Sequence, residues 1–441
     1  MNMLEGSIGD KIIKFVIPLA LTGILQQLFN AADVMVIGQF AGKNAMAAVG
    51  SNAPVINIMI CLFIGVSVGA NVVIARYIGQ NRAEKVKDSV HTSIVFAFFS
   101  GLFIAVVGQF VAYPILKAMS VPDEVLSMAV TYLRIYMGGM PVIFLYNFES
   151  AIFRSAGDTK TPLIALTISG IINVLLNLFF VIVMQMSVAG VAIATVTANF
   201  VSSLLLFIFL RRREGMLKVE LGSLKINSDV LKSMLKIGLP AGVQSGVFSL
   251  SNLCIQSAIN SLGADVMAAS SAAFNIEIVI YYIVNAFGQA ATTFVGQNYG
   301  AGNLKRCRKI TRTALLQNIV FTVVASFAIL FAGEFLLGLF NSDSAVIGLG
   351  LIRLKYILTG EALTSVMETV SGAMRGYGKS MVPAVTTFAG VCGIRIVWVY
   401  TVFKTIGSYE SLMAVYPLSW AVTALALAVA YFLARPKEEV V

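Results

Sequence analysis

The sequence is short of charge: Asp, Glu, Lys and Arg supply 12% of its 441 residues, about half the share of a soluble domain. A chain of this length cannot wet a set of soluble domains with so few ions, which excludes that class. Histidine is nearly absent. The single copy, His91, excludes a histidine-built metal centre and a Ser-His-Asp triad, and its place after Lys87-Asp88 at a helix start suits an interfacial residue. The four cysteines, Cys61, Cys254, Cys307 and Cys392, stand far apart with no CxxC pair, so they read as small apolar side chains and not as a disulfide or zinc framework. No Walker A, HExxH or GxSxG element occurs, which leaves this chain no ATP-driven cycle or hydrolase chemistry of its own. No cofactor is expected, and the chain is not read as an enzyme.

What the sequence has in excess is apolar length. Hydrophobic types make up 58% of it and mean hydropathy is +0.88, enough to fill a dozen spans of about 20 residues. The apolar runs are long and continuous, unlike the alternating ten-residue strands of a barrel, so the fold class is an all-α polytopic membrane protein. Twelve spans are predicted at about 11–39, 46–78, 88–116, 125–153, 160–184, 188–210, 230–260, 266–297, 305–339, 345–373, 378–403 and 410–434. The run after Lys14 is too long for a cleaved signal peptide and is taken as the first span.

The basic residues orient these spans. Of 31 Lys and Arg, 24 fall at the termini and beside the loops after the even-numbered spans, and only Lys43, Lys117 and Lys404 fall in the other loops. That asymmetry predicts a plasma-membrane protein with both termini in the cytoplasm. The runs Arg211-Arg212-Arg213 and Lys305 to Arg312 are then topology signals facing anionic lipid, and the net charge of +10 implies no nucleic-acid partner.

The two halves repeat. Arg154, Gly157 and Pro162 recur as Arg375, Gly378 and Pro383 at a constant offset of 221, as do Met46-Ala47-Ala48 at Met267-Ala268-Ala269 and Gly79 at Gly300. Nearer the start of each half the offset is 222, pairing Pro18 with Pro240 and Asn30 with Asn252. The expected organisation is an amino-terminal six-helix lobe over 1–210, a cytoplasmic linker over 211–229 and a carboxyl-terminal six-helix lobe over 230–441. Six is an even number of spans, so these are parallel repeats about an axis along the membrane normal, an arrangement of transporters.

Polar residues within spans are costly and therefore candidates for function. Gln26, Asn30 and Asp33 form one stripe of the first span; Asn173 and Asn177 are one turn apart in span 5, and Thr195 and Thr197 add hydroxyls in span 6. Carboxylate, amide and hydroxyl oxygens suit Na⁺, and a desolvated carboxylate also suits H⁺; the competing reading is a polar network that packs helices. Glu277, Tyr281 and Asn285 share a face of span 8, Glu361 and Glu368 a face of span 10, and Glu149 lies late in span 4. These acids either line a cavity that attracts lipophilic cations or pair with Arg134, Arg353, Lys355 or Arg395 as buried ion pairs.

The stretch Tyr132-Leu133-Arg134-Ile135 through Gly139-Met140-Pro141, the loop Arg154-Ser155-Ala156-Gly157-Asp158-Thr159-Lys160-Thr161-Pro162, Gly190 with Ala194-Thr195, and Phe294-Val295-Gly296-Gln297-Asn298-Tyr299-Gly300-Ala301-Gly302 together resemble the multidrug and toxic compound extrusion (MATE) family. The resemblance implies two six-helix bundles in a V and a secondary antiporter that exports organic cations against H⁺ or Na⁺. Carried over by position, Asp33, Asn173 and Thr195 match the family's amino-terminal cation site and Pro18 its first-span hinge. Asn177 stands where many members have an aspartate, which removes one carboxylate from a Na⁺ site at Asp33, Asn173, Asn177 and Thr195. Gln26 and Asn147 match drug-facing positions; with Asn30, Glu149, Glu277, Tyr281, Glu361 and Glu368 they make up the expected substrate cavity. Span 7 lacks the acid that one branch places there. A monomer is expected. Two rival classes remain: a lipid-linked oligosaccharide flippase, which would want a cavity rich in Arg and Lys, and a membrane-embedded lipid-modifying enzyme, which would want clustered His or Asp.

Overall fold

Continuous apolar sequence in lipid satisfies its backbone only by helix formation, and the described chain is helical almost throughout. A computed structural model describes residues 1–436; the last five residues of the expected carboxyl-terminal lobe lie outside them. The helices are α1 Gly9–Phe40, α2 Lys43–Gly79, α3 Ala83–Ala118, α4 Asp123–Gly138, α5 Met140–Ser155, α6 Lys160–Val183 and α7 Ser187–Arg212, then α8 Ser228–Asn260, α9 Ala264–Gly300, α10 Leu304–Phe331, the short α11 Gly333–Gly338, α12 Ser344–Gly376, α13 Met381–Ile406 and α14 Tyr409–Ala434. These make the twelve expected passes, with two breaks that the span limits missed. The fourth pass is bent by 48° between α4 and α5, and the ninth ends in the separate turn α11.

Among the described residues nine helices are long and apolar enough to cross a membrane, and the bent pair α4–α5 makes a tenth. The two that fall short are α8 and α12. Each has 33 residues, about 50 Å of helix, so length is not what they lack. They carry polar groups instead: Lys232, Lys236, Gln244 and Asn252 in α8, and Arg353, Lys355, Glu361 and Glu368 in α12. Large apolar side chains stay fully open on the helix surfaces, Phe331 with 97% of its area, as lipid-facing residues do.

The chain divides into two compact units that do not follow the repeat boundary. The first comprises Met1 and residues 21–238, the second residues 2–20 and 239–441. In the first unit the opening turns of α8 press on α2, where Gly69 and Gly238 meet so closely that a Cβ at Gly69 would lie 2.2 Å from the Met234 carbonyl oxygen. The second unit repeats the arrangement with the opening turns of α1: Ile12, Phe15 and Leu19 join Ala290, Ala291 and Phe294 in its core, Phe15 edge-on to Phe294 at 5.6 Å. The stretch after α7 is laid against the first unit. Leu217 and Val219 are buried in its core, the Glu220 amide donates to His91 Nε2 at 3.2 Å, and Asn227 donates to Asp88 and to Thr92.

π turns recur in the same pass of both repeats. One closes α6 at Phe179–Val183 and another lies within α13 at Val399–Phe403. Such turns gather at functional sites, and Asn177 stands just ahead of the first.

Candidate cation site

Three helices of the first unit meet around Asp33. Gly170 of α6 allows the approach: a Cβ there would fall 1.9 Å from the Phe29 ring of α1, so only a bare α-carbon lets this part of α1 lie against α6. One turn further along come Asp33 and Asn173, and a second turn along α6 comes Asn177. The Asn177 amide donates to Asp33 Oδ1 and to Asn173 Oδ1 at 3.3 Å. From α7, Thr195 Oγ1 lies 3.2 Å from Asp33 Oδ2 and 2.9 Å from the Val191 carbonyl. Asn173 and Asn177 are buried, at 4% and 0% exposure, while Asp33 is half-buried.

All four residues picked as the ion-coupling set are therefore in one network. Each supplies an oxygen of the kind hard cations take, and Asn177 Oδ1 is buried with no hydrogen-bond partner. Among the described residues no three of His, Cys, Asp and Glu gather at one place, so any cation here is held by one carboxylate and neutral oxygens. Two residues escaped the sequence reading. Tyr132 and Tyr136 of α4 lie within electrostatic reach of Asp33, stacked on each other at 6.0 Å. Their spacing of four puts them on one helix face, which is the signal that could have found them.

The other polar positions separate. Gln26 and Asn30 are exposed on α1. Asn147 is half-buried, its amide turned back to the Ile143 carbonyl at 2.8 Å. Glu149 is wholly buried and takes one hydrogen bond, from Ser203 Oγ at 2.9 Å. Pro18 is buried within an unbroken α1. In the second unit, Glu277 is occupied by Arg353, whose Nε and Nη2 reach its two oxygens at 3.1 and 2.5 Å while Nη1 donates to Ser270 at 2.7 Å. For this acid the ion-pair alternative is the one present. Tyr281, expected on the same face, is 48% exposed, and Asn285 accepts from Gln289 at 2.7 Å.

Glu361 accepts from Thr364 at 3.1 Å within reach of Arg395 and Glu277. Glu368 pairs with Arg375 of its own helix at 3.4 Å. Arg395 is 1% exposed and has neutral hydrogen-bond partners: it donates to Asn252 at 2.9 Å and Ser419 at 3.3 Å, with its guanidinium 4.3 Å from the Tyr416 ring centre. Arg395 and this aromatic seat come from consecutive helices, and which faces of two neighbouring helices meet is not visible in the order of residues.

The MatE family profile matches the chain twice, over residues 18–179 and 240–401, so the two copies open on the paired prolines. Among curated proteins, the "Probable multidrug resistance protein YoeA" of Bacillus subtilis is 27% identical over 93% of this chain and 90% of its own length. The "Probable multidrug resistance protein NorM" of Thermotoga maritima is 27% identical over 90% and 86%. Solved structures share the fold. A MATE protein in complex with MaL6 superposes with a TM-score of 0.91 at 21% identity, covering 98% of this chain and 97% of that one. An outward-facing multidrug resistance MATE transporter gives 0.88 at 23%, covering 98% and 96%.

Proposed function

The chain belongs to the MatE family, and on that premise we propose that it is a multidrug efflux antiporter. It exports cationic amphipathic compounds across the plasma membrane, with both termini cytoplasmic, in exchange for H⁺ or Na⁺ by alternating access of its two lobes. The observation that carries this reading is the Asp33 network: one carboxylate inside a membrane span, held by Asn177 and Thr195. A carboxylate in such a place is expensive to keep without a positive partner, and a proton or a small cation can be that partner. Na⁺ would use Asp33, Thr195, Asn173 and the unpartnered Asn177 oxygen; H⁺ needs Asp33 alone. Relatives named for multidrug resistance, alike along about nine-tenths of the chain, support the drug side of the exchange.

Cation and drug must favour opposite states, because coupling between two ligands is reciprocal. Pro18 contributes no amide hydrogen to the α1 ladder and so lowers the cost of a bend there. Cation binding at Asp33 reshapes α1 through that point and expels drug held at Gln26, Asn30 and Asn147. Glu277, Glu361 and Glu368 are assigned to the internal contacts described above and not to drug.

The test is dye uptake into inside-out vesicles, driven in turn by an imposed H⁺ or Na⁺ gradient, with Asp33→Asn alongside. Uptake with one ion and its loss in Asp33→Asn is the expected result. Folded protein that takes up no dye with either ion would overturn antiport and leave the lipid-linked oligosaccharide flippase in its place.

A further inference from the structure

Glu149 has no part in the mechanism above. Its carboxyl is fully enclosed in the first unit. One oxygen accepts from Ser203 Oγ at 2.9 Å; the other, Oε1, has no partner. Among the described residues Ser203 is the one side chain with a hydrogen bond to it, and no salt bridge includes it. On its own helix Arg154 acts on Tyr146. An isolated buried carboxyl is costly in its charged form, so a structural explanation requires that the packing needs it.

The second repeat shows that the packing does not. At the offset of 221 the buried positions of α5 and α7 recur in α12 and α14: Phe148, Ser150 and Ala151 become Thr369, Ser371 and Gly372, and Ser202, Leu206 and Leu210 become Thr423, Leu427 and Tyr431. In that register Glu149 and Ser203 correspond to Val370 and Ala424, both in the apolar core of the second unit. Thr195 and Asn199 correspond to Tyr416 and Trp420. Both units carry buried hydroxyls here, Ser419 and Thr423 in α14, and the polar row of α7 differs in holding an amide and in ending on an acid. It runs from Thr195 beside Asp33, through Asn199, which donates to the Thr195 carbonyl at 2.9 Å, and Ser202, which donates to the Asn199 carbonyl at 3.0 Å, to Ser203 on Glu149. The row covers about 12 Å of helix axis and leads toward the end of α7 that bears Arg211 and Arg212.

We propose that Glu149 is a second proton-binding group of the first unit, which takes up a proton at its unpartnered Oε1 as Asp33 releases one. In the exchange the Asp33 carboxylic acid gives up its proton and becomes a carboxylate. The Glu149 carboxylate takes one at Oε1 and becomes the acid, while Oε2 keeps the Ser203 hydrogen bond. The pair's total charge is unchanged. The exchange rests on the reading of Asp33 as the coupling group; proton binding by Glu149 rests on its own surroundings.

Infrared difference spectra of the full-length protein in lipid, acidic minus alkaline, test it by the carbonyl stretch of each protonated carboxyl that titrates. The expected result is one band lost in Asp33→Asn and a different one lost in Glu149→Gln. H⁺-driven dye uptake should fall at least tenfold in Glu149→Gln, and in the double variant Glu149→Val with Ser203→Ala, which copies the pair the second unit packs. A difference spectrum unchanged by Glu149→Gln overturns the proposal. A lost Glu149 band with wild-type H⁺-driven uptake overturns the exchange. If Asp33→Asn transports as wild type does while the Glu149 band persists, the Asp33 reading fails and the second proton site stands.

Discussion

Gly170 and the Glu277–Arg353 pair show how single side chains set this molecule's tolerances. Gly170→Ala would drive a methyl group into the Phe29 ring, an overpacking worth about 1–3 kcal/mol, and it would push α1 away from Asn173 and Asn177. The expected outcome is a lowered unfolding temperature in detergent together with loss of ion-driven uptake, against a milder fall in unfolding temperature for Asn147→Ala, whose amide donates within its own helix. Arg353→Met leaves Glu277 buried at 8% exposure without its partner, a loss of about 3–5 kcal/mol. Changing Glu277→Leu as well should recover much of that stability, which a thermal unfolding series on the single and double variants measures. At this scale the sequence was informative about kind and silent about pairing. Asp33 was legible because an acid within a span has few uses. Whether Glu277 faced drug or arginine depended on a residue 76 positions away.

Elements break where one residue removes a backbone hydrogen bond. The fourth pass bends by 48° after Gly138, at Gly139 with Pro141 two residues on, and its counterpart α12 runs unbroken through Gly360 and Ala362. The glycine is common to both and the proline is not, so the missing amide hydrogen of Pro141 bears the bend. Pro141→Ala should straighten the pass. Two 16-residue segments of about 24 Å each would then gain about 4 Å end to end, which spin-label distances between Glu124→Cys and Lys160→Cys would register. An unchanged distance would mean that packing imposes the bend. The span limits could not show this break, because apolarity continues across it.

For the whole chain, orientation and grouping came from different sources. The excess of Lys and Arg on one set of loops predicts that Glu214→Cys, in an otherwise cysteine-free chain, reacts with a membrane-impermeant maleimide only from the cytoplasmic side. Glu124→Cys should react only from outside; the reverse pattern would invert the topology. The grouping of Asp33, Asn173, Asn177 and Thr195 into one polar set rested on the family resemblance, and the number of passes, the helical class and the duplication were determined by sequence alone. Each of the latter follows from composition, period or spacing, which need no knowledge of what lies opposite. Tertiary structure decided that residues 2–20 pack with the second unit and 228–238 with the first, that Glu277 belongs to Arg353, that Arg395 sits on Tyr416, and that Glu149 is enclosed with Ser203. Those facts depend on which helix faces meet. The buried faces are coated with small and apolar side chains that look alike in one dimension, so close approaches such as Gly170 on Phe29 become visible only in the fold.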